Sequence, residues 1–101
     1  MRPGNGLSYE QLAVSCWERV FRDRHLTAAQ HADYVARGIE AAATAFELDA
    51  GCGNALILES LLLRMQAAAE ANLEKRQQLL EEADSLHHSA QVLARRKISG
   101  L

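Results

Sequence analysis

The residues able to do chemistry in this 101-residue chain are four histidines, two cysteines and a few polar side chains set among apolar stretches. His87 and His88 suggest a metal pair, yet neighbouring residues of a helix point about 100° apart and cannot grip one ion together. No HxxxH or ExxH spacing accompanies them. His87 falls beside a stripe containing Ala83 and Ala90, which assigns it to the edge of a core. His88 follows Asp84 by one helical turn, where the two can pair on the solvent side. His25 and His31 flank a turn with no carboxylate or cysteine at a chelating interval and read as surface residues. Cys16 and Cys52 lack CxxC spacing and histidine partners, so neither a zinc site nor a disulfide framework is expected. Cys16 reads as core and Cys52 as a turn residue; no metal and no cofactor is called for.

Catalysis finds no support either. Nucleophile-elbow, phosphate-loop, dinucleotide-binding and paired-carboxylate patterns are absent, and Gly51-Cys52-Gly53 lacks the lysine and spacing of a phosphate loop. The expectation is a binding protein that is not an enzyme. Trp17 lies on the same side as Cys16, Val20 and Phe21, which places it in a core rather than at an exposed hot spot. Arg64 interrupts an otherwise apolar helix, and with Asn54 and Glu59 it supplies the few polar groups there, so these three are candidates for a contact surface.

Charge narrows the partners. A formal net charge of −2 offers no footprint for nucleic acid. The basic run Arg95-Arg96-Lys97 ends a predicted helix, where cations complement the helix dipole. No secretory or lipidation motif is visible and no run is long and apolar enough for a membrane span, so a cytoplasmic location is expected.

The elements that must position these residues are helical. Apolar residues make up 49% of the chain but aromatics only 5%, a balance that favours close helix packing through alanine over bulky β packing. The single proline is Pro3, and long stretches contain no helix breaker. Residues 1–7 read as a flexible leader, 8–98 as one helical domain of two hairpins (8–49 and 54–97), and 99–101 as a frayed tail. Helix one is predicted to start after Ser8, which stands at capping-box spacing from Gln11. Its apolar positions are Tyr9, Leu12, Ala13, Cys16, Trp17, Val20 and Phe21.

A turn over residues 23–26 leads to a second capping box, Thr27 and Gln30, and to helix two, ending near Leu48. One stripe of that helix is polar: Asp33, Arg37, Glu40, Thr44 and Glu47, with Arg37 able to pair with Asp33 and Glu40. The opposite face carries Ala32, Val35, Ala36, Ile39, Ala42, Ala43 and Phe46. Two glycines break the pattern at residues 51–53, and Asn54 is placed to cap helix three. Helix three, about 55–71, is apolar nearly all round through Leu56, Ile57, Leu58, Leu61, Leu62, Leu63 and Met65, which implies burial on more than one side. A break near Asn72 separates it from helix four, where Leu79, Ala83, Leu86, Ala90 and Leu93 share a stripe.

Helix two closes with Ala45-Phe46-Glu47-Leu48-Asp49-Ala50, and this segment resembles the end of a tetratricopeptide repeat (TPR), with Ala50 where that family usually has proline. Gly38, Ala42 and Ala45 stand at the family's small-residue intervals. Ala83, His87 and Ala90 repeat them, 45 residues on from Gly38 to Ala83. Leu56, Ser60 and Leu63 resemble the large, small, large pattern of the family's first helix, and Glu59 departs from the apolar residue expected there. The offset also exceeds the usual period of about 34 residues.

The resemblance spans about residues 39–92 and implies an all-α fold of two antiparallel hairpins in TPR-like right-handed stacking; a four-helix bundle is the other arrangement the pattern allows. It implies that helices one and three line a concave groove receiving an extended or helical segment of another protein, as in an adaptor, scaffold or chaperone. Carried over to matching positions, Asn54, Ile57, Leu61 and Arg64 line that groove, with Ile57 where carboxylate-clamping members have a polar residue. Two readings compete with it. One is a homodimer covering the apolar surface of helix three with a second copy, and the other is a metal- or redox-responsive regulator using Cys16, Cys52 and the histidines.

Overall fold

The computed structural model describes residues 5–99, which form four α-helices with no strand among them. They are α1 (Asn5–Arg22), α2 (Ala28–Leu48), α3 (Gly53–Ala69) and α4 (Leu73–Ser99). Of the leader and tail expected at the two ends, residues 1–4 and 100–101 lie outside the described residues. Helix α1 begins at Asn5, three residues before the predicted cap at Ser8. Gly6 does not stop it, because one glycine costs a helix only about 1 kcal/mol.

The turns show why the chain stops and restarts where it does. Asp23 ends α1: its carboxylate accepts the His25 backbone N–H at 2.9 Å and pairs with Arg19 at 3.2 Å. Helix α2 then opens with the predicted capping box. Thr27 Oγ1 accepts the Gln30 N–H at 3.1 Å, and Gln30 Oε1 accepts the Thr27 N–H at 2.9 Å, so two otherwise orphaned amides are satisfied.

The next turn is held by Asp49, whose Oδ1 accepts the Gly51 N–H at 3.0 Å while its carbonyl accepts the Cys52 N–H. Neither Gly51 nor Gly53 adopts a positive φ. The cap of α3 is Cys52 rather than Asn54, which lies inside the helix; the Cys52 carbonyl already accepts the Ala55 N–H at 3.2 Å. The break before α4 falls at residues 70–72. Asn72 Oδ1 accepts the Lys75 N–H at 3.0 Å, and the Arg76 guanidinium returns to the Glu70 carbonyl at 2.7 Å.

Packing follows from small residues. Helix α1 lies along α2, α2 along α3 and α3 along α4, with a smaller contact between α1 and α3; among the described residues α4 touches α3 alone. Gly38 is the point of closest approach. A Cβ built there would stand 2.7 Å from Leu62 Cδ1 and 3.1 Å from Cys16 Cβ, so α1, α2 and α3 converge on it. Ala13, Ala42, Ala55 and Leu62 around this region are fully buried. In α4, Ala83 and Ala90 are buried and Leu79, Leu86 and Leu93 half-buried, which is the predicted stripe.

Two predicted faces are narrower than the periodicity suggests. Over residues 8–22 of α1 the buried positions are Ala13, Cys16 and Val20, whereas Tyr9, Leu12 and Phe21 are exposed, Phe21 by 65%. The cause is the number of neighbours, since among the described residues α1 meets only α2 and α3. In α2 the buried positions are Val35, Gly38, Ala41, Ala42 and Ala45, while Ala32 and Ala36 are exposed. Of its two expected ion pairs, Arg37 makes the one to Asp33, at 3.0 Å, and none to Glu40.

Candidate surface for a partner

Helix α3 is the only one that touches all three others, and this accounts for most of its apolar circumference. Ala55, Leu56, Ser60, Leu62, Leu63 and Ala67 are buried. The residues outside include the stripe Asn54, Ile57, Leu61 and Arg64, every member exposed, with Ile57 at 39% and Leu61 at 38%, and Gln66, Ala68 and Ala69 near the helix end. Spacings of three, four and three residues keep the four side chains on one face of the helix.

The recorded neighbours of this stripe belong to α4. Asn54 and Ile57 share a cavity of about 340 Å³ with Ala90, Leu93 and Ala94. Arg64 reaches Asp84 with a 2.7 Å ion pair. Asp84 is therefore not the partner of His88, as helical spacing suggests, because a guanidinium from the facing helix is better placed to receive it. Nor is His87 at the edge of the core: it is exposed, with Nε2 3.4 Å from the Gln91 amide.

Between α1 and α3 the structure forms a second apolar feature that the sequence pattern did not single out. A cleft of about 380 Å³ is lined by Val20 and Phe21 of α1, Met65, Ala68 and Ala69 of α3, and His31 of α2. Trp17 stacks on Phe21 with ring centroids 5.1 Å apart and planes within 10°. It is half-buried rather than a core residue, and it stiffens a Phe21 ring that projects into solvent. The spacing of Met65, Ala68 and Ala69 on one side of α3 is the signal that could have revealed the cleft. His31, expected on the surface, is half-buried and also lines an adjoining cavity with Val35 and Gln66.

Two thiols and one carboxyl are shifted toward their protonated forms. Burial raises the Cys16 thiol above its ordinary value; the nearby Arg37 lowers it and Asp33 raises it. Burial also raises Cys52, reinforced by the 3.1 Å hydrogen bond it donates to Glu10. A reactive cysteine needs the thiolate, and both environments favour the thiol. Glu59 is likewise raised, first by desolvation and then by the negative charge of Glu82 on α4. Among the described residues no group of three or more His, Cys, Asp or Glu is disposed to hold a metal ion.

No protein-family model matches the chain, and neither a curated protein nor a solved structure does. Among the described residues no helix is long and apolar enough to cross a membrane.

Proposed function

We propose that this protein is a non-catalytic interaction module of stacked, TPR-like helical hairpins that acts in the cytoplasm and docks an amphipathic helix of another protein against α1 and α3. The observation that carries the reading is the pairing of the α1–α3 cleft with the uncovered α3 stripe. Phe21, stacked on Trp17, borders the cleft, while Ile57 and Leu61 remain exposed on the helix that touches all three others. From Ile57 to Ala68 is eleven residues, about 16 Å of helix rise, enough for three turns of a docked helix to lay apolar side chains along α3.

The stacked arrangement is favoured over a closed bundle because closure brings the fourth helix against the first, and α4 here touches only α3. A helix suits this surface better than an extended segment. Gripping an extended backbone takes several free polar side chains, and of the two on the stripe Arg64 is already engaged by Asp84. The unpaired thiols of Cys16 and Cys52 fit a reducing compartment.

A photo-crosslinking residue at Leu61, compared with one on the exposed polar stripe of α2 at Glu40, tests the proposal in the cell of origin. The expected result is a covalent adduct from position 61 with one distinct protein, mapped by mass spectrometry to an amphipathic helical segment and lost in a Phe21→Asp background. Adducts only between copies of this chain, or equal labelling from both positions, overturn it. The first outcome, supported by a dimer mass in sedimentation, would instead favour a homo-oligomer.

A further inference from the structure

Helix α4 is held in the molecule differently from the other three. Among the described residues it packs against α3 alone, whereas α1, α2 and α3 all touch one another. It can therefore leave its place without breaking any contact among them. Its packing runs antiparallel to α3: a Cβ built at Gly53 would stand 4.0 Å from the Ala90 carbonyl oxygen, and Arg64 pairs with Asp84 at 2.7 Å. An α4 supplied by a second copy of the chain restores each of these contacts.

The joint between α3 and α4 is Glu70, Ala71 and Asn72. It holds neither glycine nor proline, and no residue in it has a positive φ. Alanine and glutamate are strong helix formers and asparagine only a moderately poor one, so this sequence is compatible with a helix that runs straight through. What bends the chain is a set of local bonds. The Asn72 N–H donates to Glu70 Oε2 at 3.0 Å, Asn72 Oδ1 accepts the Lys75 N–H at 3.0 Å, and the Arg76 guanidinium donates to the Glu70 carbonyl at 2.7 Å. Both bonds of Asn72 are exposed. A continuous helix replaces them with main-chain bonds, because the last carbonyls of α3 and the first amides of α4 then satisfy one another.

Leu73 points the same way. It begins α4 and is the most exposed large apolar residue described, at 74%. Continuing α3 through the joint sets Leu73 one turn beyond Ala69 on the same face. Ala69 lines a cavity of about 200 Å³ with His31 and Val35 of α2. The extension therefore carries Leu73 from solvent toward the start of α2.

We infer that α4 is exchanged between two copies of this chain: α3 and α4 join into one helix of about 70 Å, and each α4 packs on the α3 of the other copy in a two-fold dimer. The incoming helix takes the place of the departing one, so the stripe of Ile57 and Leu61 stays as exposed as in the monomer. The dimer is thus distinct from one built on that stripe, and it carries the proposed partner surface twice.

Sedimentation velocity of the full chain, refolded from urea, should show monomer and dimer, with the dimer fraction rising from about 5 to about 500 μM. Asn72→Ala removes both bonds of the bend and should strengthen dimerisation at least tenfold. Ala71→Pro should abolish it. Proline is excluded from a continuous helix, while the residue before it must be extended, and Glu70 already is, at φ −84° and ψ 123°. Should that variant not fold, Ala71→Gly should weaken dimerisation about tenfold or more. To identify the exchange, the Arg64→Lys variant is refolded as a mixture of unlabelled and heavy-isotope-labelled chains and joined to Asp84 with a carbodiimide. Peptides crosslinked between positions 64 and 84 should carry mixed labels in the dimer and a single label in the monomer. No dimer from either the parent or Asn72→Ala, a dimer unaffected by folded variants of the joint, or single-label crosslinks alone in the dimer fraction overturns the inference.

Discussion

Replacing Gly38 with alanine sets two effects of opposite sign against each other. Inside a solvent-facing helix, glycine to alanine stabilises by about 1 kcal/mol, because alanine loses less backbone entropy on folding. At this position the added methyl group arrives 2.7 Å from Leu62 Cδ1, 3.2 Å from Leu62 Cδ2 and 3.1 Å from Cys16 Cβ. A leucine terminus can often rotate away, but Leu62 is fully buried, so its methyl groups move only by shifting packed neighbours. Cys16 Cβ belongs to the backbone geometry of α1, so that contact is relieved only by moving the helix. Overpacking of this kind costs about 1–3 kcal/mol, which exceeds or cancels the entropic gain. The net expectation is a destabilisation of about 1 kcal/mol for Gly38→Ala, and of more for Gly38→Val.

Urea unfolding followed by circular dichroism measures it. The decisive comparison is a double-mutant cycle with Leu62→Ala, which removes the closest atoms. Leu62→Ala alone should cost about 2–5 kcal/mol as a buried truncation, yet in that background Gly38→Ala should cease to destabilise. A Gly38→Ala variant that is about 1 kcal/mol more stable than the parent would refute the convergence of three helices on this residue.

Other substitutions probe separate parts of the architecture. Ala42→Arg should abolish cooperative thermal unfolding, because the side chain is fully buried where α2 meets its neighbours. Ala83→Arg should release α4, seen as early hydrogen exchange confined to residues 73–99, since that helix packs against α3 alone. Thr27→Ala removes one half of the capping box and should lower stability by about 1 kcal/mol in the same urea assay. Glu59→Gln should raise the melting temperature at pH 7 to 8 and make little difference near pH 4. Burial and Glu82 raise the folded-state pKa of Glu59, so its carboxyl binds the proton more tightly folded than unfolded. Stability is lost as pH climbs from the ordinary carboxylate value through the raised one, and glutamine removes that loss. A melting-temperature difference that does not change with pH would count against it.

The sequence was most legible where one local signal decided the outcome. Thr27 and Gln30 cap α2 as their spacing predicts, Asn72 marks the break between α3 and α4, and the stripe of α4 packs as its alternation requires. It was least legible where neighbour count mattered. The apolar periodicity of α1 is real, but periodicity says which side of a helix is apolar and not how much of that side another helix will cover. Phe21 and Tyr9 are exposed for that reason. Cross-helix pairing was hidden too: Asp84 sits at ideal spacing for His88, and only the antiparallel register of α3 and α4 brings Arg64 within 2.7 Å of it. The stripe Asn54, Ile57, Leu61 and Arg64 was readable as a face of α3, whereas its adjacency to α4 required three-dimensional register.

The unusual apolarity of α3 now divides into two parts with different causes. Contact with three helices explains Leu56, Leu62 and Leu63, which need no partner outside the chain. Ile57 and Leu61 are not explained that way, and neither is Phe21, whose ring is ordered by Trp17 without being covered. Single exposed apolar residues are common on soluble proteins. Phe21 lines the seam of α1 against α3, a cleft of about 380 Å³, and Ile57 and Leu61 lie on the same face of α3 as Ala68, which lines it too. Closing that cleft with Ala68→Leu therefore separates the two explanations of the exposed residues. If they are incidental, the added side chain should fill space, raise stability and leave crosslinking at Leu61 intact. If the cleft receives a partner, the same stabilised variant should lose the adduct.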